Sequence, residues 1–351
     1  MKELFKDAEK VGVRDTENFP TYFQIDSDVL FSRGEKNVEI MPIDEAVKKY
    51  GLREYLWKNI PKNKDRYTKI ADENPTKGYF IRIKKGSNIT APIQSCLMME
   101  NIDSQNVHNI IIAEENSSAQ ILTGCTTRKS YCGRHIGISE FYVGKNAKLV
   151  FTMIHSWADE FIVRPRSKII VEENGTFISN YINFEKVKDL QMYPSATLKN
   201  GAVGKMNTII FADNGSIFDV GSELILNKNS KGEISSKVVA KDGNVVARGR
   251  IVGLSASFGH QECRGMLLSE NGAISSIPEL IAKSELAELS HEAAIGRVRE
   301  EALWYLMSRG FAEDEAISLI VRGFLDPELP ELPEILKEEL RKILDTAIKG
   351  L

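Results

Sequence analysis

Hydrophobic and polar positions change their period twice along this chain. Near the start, in IDEAVKKYGLREYLWKNI, the residues Ala46, Val47, Tyr50, Leu52, Tyr55 and Leu56 form a roughly helical apolar stripe. Asp44 is placed to cap that helix and Pro61 to close it. From residue 79 the apolar runs shorten and become β-rich, as in Tyr79-Phe80-Ile81-Arg82-Ile83 and Asn109-Ile110-Ile111-Ile112, each bounded by turn residues. After Ile277-Pro278 the helical period returns. HEAAIGRVREEALWYLMSRG places Ile295, Val298, Ala302, Leu303, Leu306 and Met307 on one face and stops at Arg309-Gly310. AEDEAISLIVRG begins acidic and ends at Arg322-Gly323, as the helix dipole favours, and LPEILKEELRKILDTAIKGL is amphipathic after Pro333. The pattern predicts a helical domain over residues 1–75, a β core over 76–277 and a second helical domain over 278–351.

Turn signals in the β core recur at a near-fixed interval. They fall at Asn116-Ser117, Asn146-Ala147, Asn174-Gly175, Asn200-Gly201, Asn214-Gly215, Asn229-Ser230, Asp242-Gly243 and Asn271-Gly272, at spacings close to multiples of about 14 residues. A meander of hairpins would also use Asn-Gly turns. Hairpins alone leave the doubled intervals unexplained, so the spacing favours a β-helix of stacked strands.

Composition narrows the function. The 351 residues carry 46 Lys and Arg against 49 Asp and Glu, a net charge of −3, which gives no reason to expect nucleic acid as a partner. The first residues lack an apolar signal region, and no run of 18 apolar residues occurs, which predicts no membrane partner. Four cysteines without a secretory signal read as free thiols in a reducing compartment, hence a cytoplasmic protein.

The residue types able to hold a borderline-soft metal are concentrated late in the chain. Cys263 is followed by the adjacent pair His291-Glu292, so thiolate, imidazole and carboxylate lie close in sequence. On a helix the pair would diverge, one serving as ligand and the other as a supporting partner. The alternatives are a packed thiol at Cys263 and a helix start with Ser290 as cap. Cys125 and Cys132, seven apart, lack Cys-x-x-Cys spacing and would face opposite sides of one strand. His135, His155 and Trp157 lie in the same β region and are candidates to line a channel, or simply satisfied core groups. Arg248-Gly249-Arg250-Ile251-Val252-Gly253 has neither a following Lys-Ser/Thr nor a helix, so it is no phosphate loop. Any ATP would therefore be hydrolysed by a partner.

Several blocks together resemble the SufB/SufD family, scaffold subunits of the SUF iron–sulfur cluster assembly machinery. They are EIMPIDEAVKKYGLREYLWKNI with GYFIRIKKGSNITAPI, then IIIAEENSSAQILTGC, AKLVFTMIHSW, HQECRGMLL and SHEAAIGRVREEALWYLMSRGFAEDEAISLIVRGF. The resemblance implies a mainly β protein with a right-handed parallel β-helix between helical ends, acting as an assembly scaffold rather than an enzyme. It implies cluster assembly at Cys263, His291 and Glu292, a SufB-like set, with Cys263 on the last coils of the β-helix and the His-Glu pair where the helical domain begins. Cys125 matches the family's Gly-Cys and is a candidate for sulfur relay toward Cys263, with His135, His155 and Trp157 as channel candidates. Implied partners are the ABC-type ATPase SufC on the C-terminal helices, a second SufB/SufD-type subunit, identical or different, and acceptor apoproteins. The cofactors implied are a transient iron–sulfur cluster and, as a further candidate, reduced flavin. Two departures stand out: the N-terminal cysteine cluster of longer SufB chains is absent, and the usual Gln-Asn-Trp reads His155-Ser156-Trp157. The competing readings are a structural SufD-like subunit without a cluster and a polysaccharide-active β-helix enzyme. The second would need carboxylates grouped on one face of successive turns, and no such grouping is evident.

Overall fold

The turn asparagines set the architecture. Asn116, Asn146, Asn174 and Asn229 all have positive φ, between 54° and 57°, a region that asparagine tolerates better than most residues. Asn146 donates its side-chain amide to Asn116 at 3.0 Å and Asn229 to Asn200 at 3.4 Å, so successive turns stack into a ladder. At Gly201 (φ 67°) a Cβ would lie 2.3 Å from the Asn174 amide oxygen, which leaves glycine as the residue that fits.

The computed structural model describes residues 2–14, 18–128, 132–213, 215–326 and 334–347. Among the described residues strands far outnumber helices. The chain winds as a parallel β-helix of two facing sheets, in which the same position recurs 27 to 30 residues later. One sheet runs through Ile93–Met99, Ser118–Thr127, Lys148–Ser156, Thr176–Asn183, Val203–Ala212, Lys231–Ala240, Ser257–Leu267 and Ala287–Arg297. The facing sheet holds Tyr79–Ile83, Ser104–Ala113, Gly133–Val143, Arg166–Val171, Ser195–Leu198, Ile217–Leu226, Asn244–Gly253 and Ala273–Ala282. Sheet neighbours are one coil apart and parallel, which distinguishes this fold from a hairpin sandwich.

Inward side chains form one apolar core along the lumen, from Tyr22 to Cys263. Helices cover the outer faces. Phe5 and Ala8, with Val321, Leu325 and Leu344, pack on the first sheet, while Ala46 and, separately, Tyr67 and Ala71 pack on the facing sheet. Glu140, fully buried on that outer face, accepts backbone N–H bonds from Trp57 (2.7 Å), Asn59 (2.6 Å) and Ile60 (3.3 Å), and lies 2.9 Å from His108 Nε2. This carboxylate pins the segment after the first covering helix.

Three expectations are corrected. The segment 1–75 is not purely helical: it contains the strands Thr21–Ile25, Asp28–Arg33 and Val38–Pro42, and Thr21–Ile25 pairs in parallel with Ile93–Met99. The helix expected to run to Pro61 covers Ile43–Tyr50 and ends at Gly51 with φ 74°; Pro42 holds the N-cap position and Asp44 sits in the first turn. The boundary at 277/278 also moves, because Ala273–Ala282 runs across it and Ala287–Arg297 follows as a further strand. A short apolar run fits both periods, and eleven residues of pairing with Ser257–Leu267 decide for the strand. Helices then occupy Glu300–Ser308, Glu313–Leu325 and Glu334–Ala347. Asn214 and Pro333 lie outside the described residues.

Candidate functional site

Parallel register decides which side chains share a face. Along Ser257–Leu267, Gly259, Gln261, Cys263 and Gly265 point inward, while His260, Glu262 and Arg264 point outward. Gln261 lies opposite His291, Glu262 opposite Glu292 and Cys263 opposite Ala293. His291 therefore shares the inner face with Cys263, as a diagonal neighbour on the next coil. Glu292 faces out beside Glu262, whose carboxylate is held by Arg264 at 2.6 Å. The pair diverges because a strand alternates, not because a helix turns.

Cys263 is 3% exposed, and burial raises its pKa, with Glu262 adding to the rise and the adjacent Ser276 hydroxyl offsetting part of it. Gln261 Oε1, buried at this end of the lumen, has no hydrogen-bond partner, while the Ser276 hydroxyl lies against the Cys263 thiol. An unpaired atom of this kind costs about 1–3 kcal/mol unless something satisfies it. Ala287–Arg297 is the last strand of its sheet among the described residues, and apolar side chains near it are open to solvent, with Leu286 64% and Ile277 45% exposed. No group of three or more His, Cys, Asp or Glu residues able to hold a metal ion occurs among the described residues. One chain thus offers two inward ligands, Cys263 and His291, at an open edge.

The inner column that contains Cys263 passes back through Ser236, Thr208 and Tyr181, at intervals of 27, 28 and 27 residues. It continues through Met153, Thr123 and Ser95. The adjacent inner column holds Leu97, Cys125, His155 and Asn183. The columns are tied where Tyr181 Oη lies 2.9 Å from His155 Nδ1. His135 Nδ1 lies 3.0 Å from Gln105 Oε1, and its ring centre is 4.8 Å from that of Trp157. Trp157 in turn stacks on Phe161.

Burial sets the protonation of this chamber. It pushes the Cys125 thiol pKa well up, lowers His135 to about 3, and holds His155 well below the ordinary imidazole value, with His135 adding to the fall. Both imidazoles are neutral at pH 7. His155 Nε2, Trp157 Nε1 and both amide atoms of Asn183 are buried without a partner. The lumen therefore contains a polar chamber, followed by a row of hydroxyls leading to Cys263. Cys96 is buried on the opposite face of the same sheet, and Cys132 is exposed, so neither joins Cys125.

A family profile described as "SUF system FeS cluster assembly, SufBD core domain" matches residues 96–324. The chain belongs to the SufBD family. It is 48% identical over 334 residues to an iron–sulfur cluster assembly SufBD family protein of Archaeoglobus fulgidus, covering 94% of this chain and 90% of that protein. A homolog in Methanothermobacter thermautotrophicus strain Winter is 41% identical over 97% of this chain and 87% of its own length. One from Pyrococcus horikoshii is 30% identical over 93% of this chain and 76% of its own length. Family membership implies involvement in iron–sulfur cluster assembly. Among the described residues no helix is long and apolar enough to cross a membrane.

Within this SufBD chain, sequence reasoning missed Tyr181, Thr208, Ser236, Asn183, Gln261 and Ser276. The signal for three of them was their spacing from Cys263, which follows the coil period once that period is known. The unpaired atoms of Asn183 and Gln261, and the placing of Ser276 against Cys263, have no signature in sequence.

Proposed function

We propose that this chain is a scaffold subunit on which a nascent iron–sulfur cluster is assembled at Cys263 and His291. The observation that carries this reading is the placement of both side chains on the inner face at the open last coil, beside the unpaired amide oxygen of Gln261. Thiolate and imidazole are both known cluster ligands. The cluster is cargo, and two ligands from one chain make a site that can release it.

Two ligands also leave the site incomplete, which favours a second SufB/SufD-type subunit meeting this edge, where unpaired strand groups invite association. Glu292, on the outer face, then belongs to the contact between subunits rather than beside Cys263. The helix Glu300–Ser308 exposes Trp304 (61%) and Tyr305 (59%), the residue types that anchor protein interfaces, and is the surface assigned to SufC. Acceptor apoproteins take the cluster from the open edge.

Cys125 keeps its role as an inner sulfur-handling thiol, with one physical constraint. It lies five coil steps from Cys263, or about 24 Å at about 4.8 Å per step. Sulfur therefore cannot pass by direct thiol exchange between the two; it must cross the lumen as a small species, past His155, Tyr181, Thr208 and Ser236.

The reading is tested by anaerobic reconstitution with ferrous iron and sulfide, followed by iron and acid-labile sulfide per chain. Wild type acquires both, and Cys263→Ala does not. No uptake by wild type, or equal uptake by Cys263→Ala, sinks it; the first outcome would favour a SufD-like subunit.

A further inference from the structure

The facing sheet is interrupted by a seam. Two coils break at the same height: Phe161–Val163 is separated from Arg166–Val171 by Arg164-Pro165, and Asp189–Met192 from Ser195–Leu198 by Tyr193-Pro194. Proline has no N–H to give to a ladder, and pairing between these coils stops on either side of the break. Inside the seam is a cavity of about 30 Å³, lined by Met153, Tyr181, Met192, Met206 and Thr208 among others. Outside it is a groove of about 950 Å³, whose walls include Arg66, Tyr67, Arg164, Arg166 and, again, Met192. Met192 is the partition between outside and lumen, and the cavity opens onto the hydroxyl row that leads to Cys263.

The groove carries excess positive charge at the seam. Arg66, Arg164 and Arg166 lie 4.6, 5.3 and 5.2 Å from the centre of the Tyr67 ring. Two carboxylates answer these three cations: Asp65 binds Arg166 at 2.6 Å and Asp189 binds Arg164. Arg66 donates to the Tyr67 hydroxyl instead, and Arg164 Nε is buried with no partner. On the far wall Arg248 binds Asp219, and Arg250 lies between Glu223 and Glu279.

We propose that this seam is an intake port for hydrosulfide. A positive groove raises the local concentration of small anions. The cavity behind it has room for about two water-sized molecules, which admits a triatomic species and excludes phosphate, nucleotides and peptides. Three thioethers in its lining favour a soft, polarizable guest. Hydrosulfide that takes one proton from a solvent hydronium at the seam passes as neutral hydrogen sulfide, which an apolar lumen accepts far more readily than an ion; one S–H bond forms, one O–H bond breaks and water is left behind. The purpose of the port rests on the assembly reading above, but its existence as a binding site does not.

Two experiments test it. Crystals soaked in sodium bromide, a soft monovalent anion, should give an anomalous peak beside Arg66 and Arg164 in wild type and none in Arg66→Glu. In anaerobic reconstitution with sodium sulfide, Arg66→Glu, an exposed change, and Met192→Phe, which plugs the partition, should each slow sulfide incorporation about tenfold while reaching the same final sulfide per chain. Wild-type rates in both variants overturn the port, and bromide at the arginines with unchanged rates marks an adventitious ion only. Failure of wild type to build any cluster counts against the assembly reading instead, and the absence of a bromide peak from wild type counts against the port.

Discussion

Replacing Tyr181 with phenylalanine removes one atom from the lumen and leaves His155 without a partner on either ring nitrogen. In the native chain the phenol lies 2.9 Å from His155 Nδ1, while Nε2 is already unpaired. Both residues are buried, so no bulk water replaces the lost bond. An orphaned neutral group of this kind costs about 1–3 kcal/mol, and the ring itself keeps its packing. Tyr181→Phe should lower the unfolding free energy obtained from urea titration by that amount. His155→Phe should cost a comparable amount, by orphaning the phenol instead. The double variant leaves no orphan in the pair and should cost less than the sum, with a coupling of about 0.5–3 kcal/mol. Unfolding followed by circular dichroism measures all three against wild type. A Tyr181→Phe variant as stable as wild type, or strictly additive costs, would refute the claim that this bond closes the chamber.

Further outcomes follow from the same structure. His135, held near 3 when folded against an ordinary value of 6.5, stays neutral while its unfolded counterpart takes up a proton. Stability should therefore fall by about 1.4 kcal/mol per pH unit between roughly 6.5 and 3, His155 acting in the same direction, and His135→Gln should flatten the urea midpoint's dependence between pH 7 and 5. Glu140→Ala removes the acceptor for three backbone amides and should cost about 1–3 kcal/mol for each one left unsatisfied; hydrogen exchange should show Trp57, Asn59 and Ile60 losing protection, and unchanged protection would contradict the pinning role. Under native alkylation, mass spectrometry should find exposed Cys132 modified first, Cys263 slowly, and Cys96 and Cys125 only after unfolding. Early modification of Cys125 would mean that the chamber is open.

The β-helix was legible because its turns repeat chemistry as well as spacing: a residue suited to positive φ recurs from coil to coil, asparagine at 116, 146, 174 and 229 and glycine at 201, and side-chain amides stack between turns. The helices Glu313–Leu325 and Glu334–Ala347 were legible from their amphipathic period. What failed were segments whose conformation is chosen by a neighbour. Ala287–Arg297 carries apolar residues compatible with either period, and the exposed edge of Ser257–Leu267 selects the strand. Thr21–Ile25 is likewise drawn into the sheet by Ile93–Met99. At the site, the types of Cys263, His291 and Glu292 marked the chemistry, but their facing depended on a strand that the sequence read as helix. The seam escaped notice because aligned prolines exist only once coils are stacked, and of the chamber the sequence marked Cys125, His135, His155 and Trp157 as relay or channel candidates but not the unpaired buried atoms.

The most direct test of the site is the identity of the cluster's ligands. Pulsed electron paramagnetic resonance on the reconstituted, reduced wild type should show coupling to an imidazole nitrogen. That coupling should vanish in His291→Ala and persist in Glu292→Ala, while Cys263→Ala should yield no signal. Nitrogen coupling that survives in His291→Ala, or a normal cluster in Cys263→Ala, would contradict assembly on the inner face of the last coil.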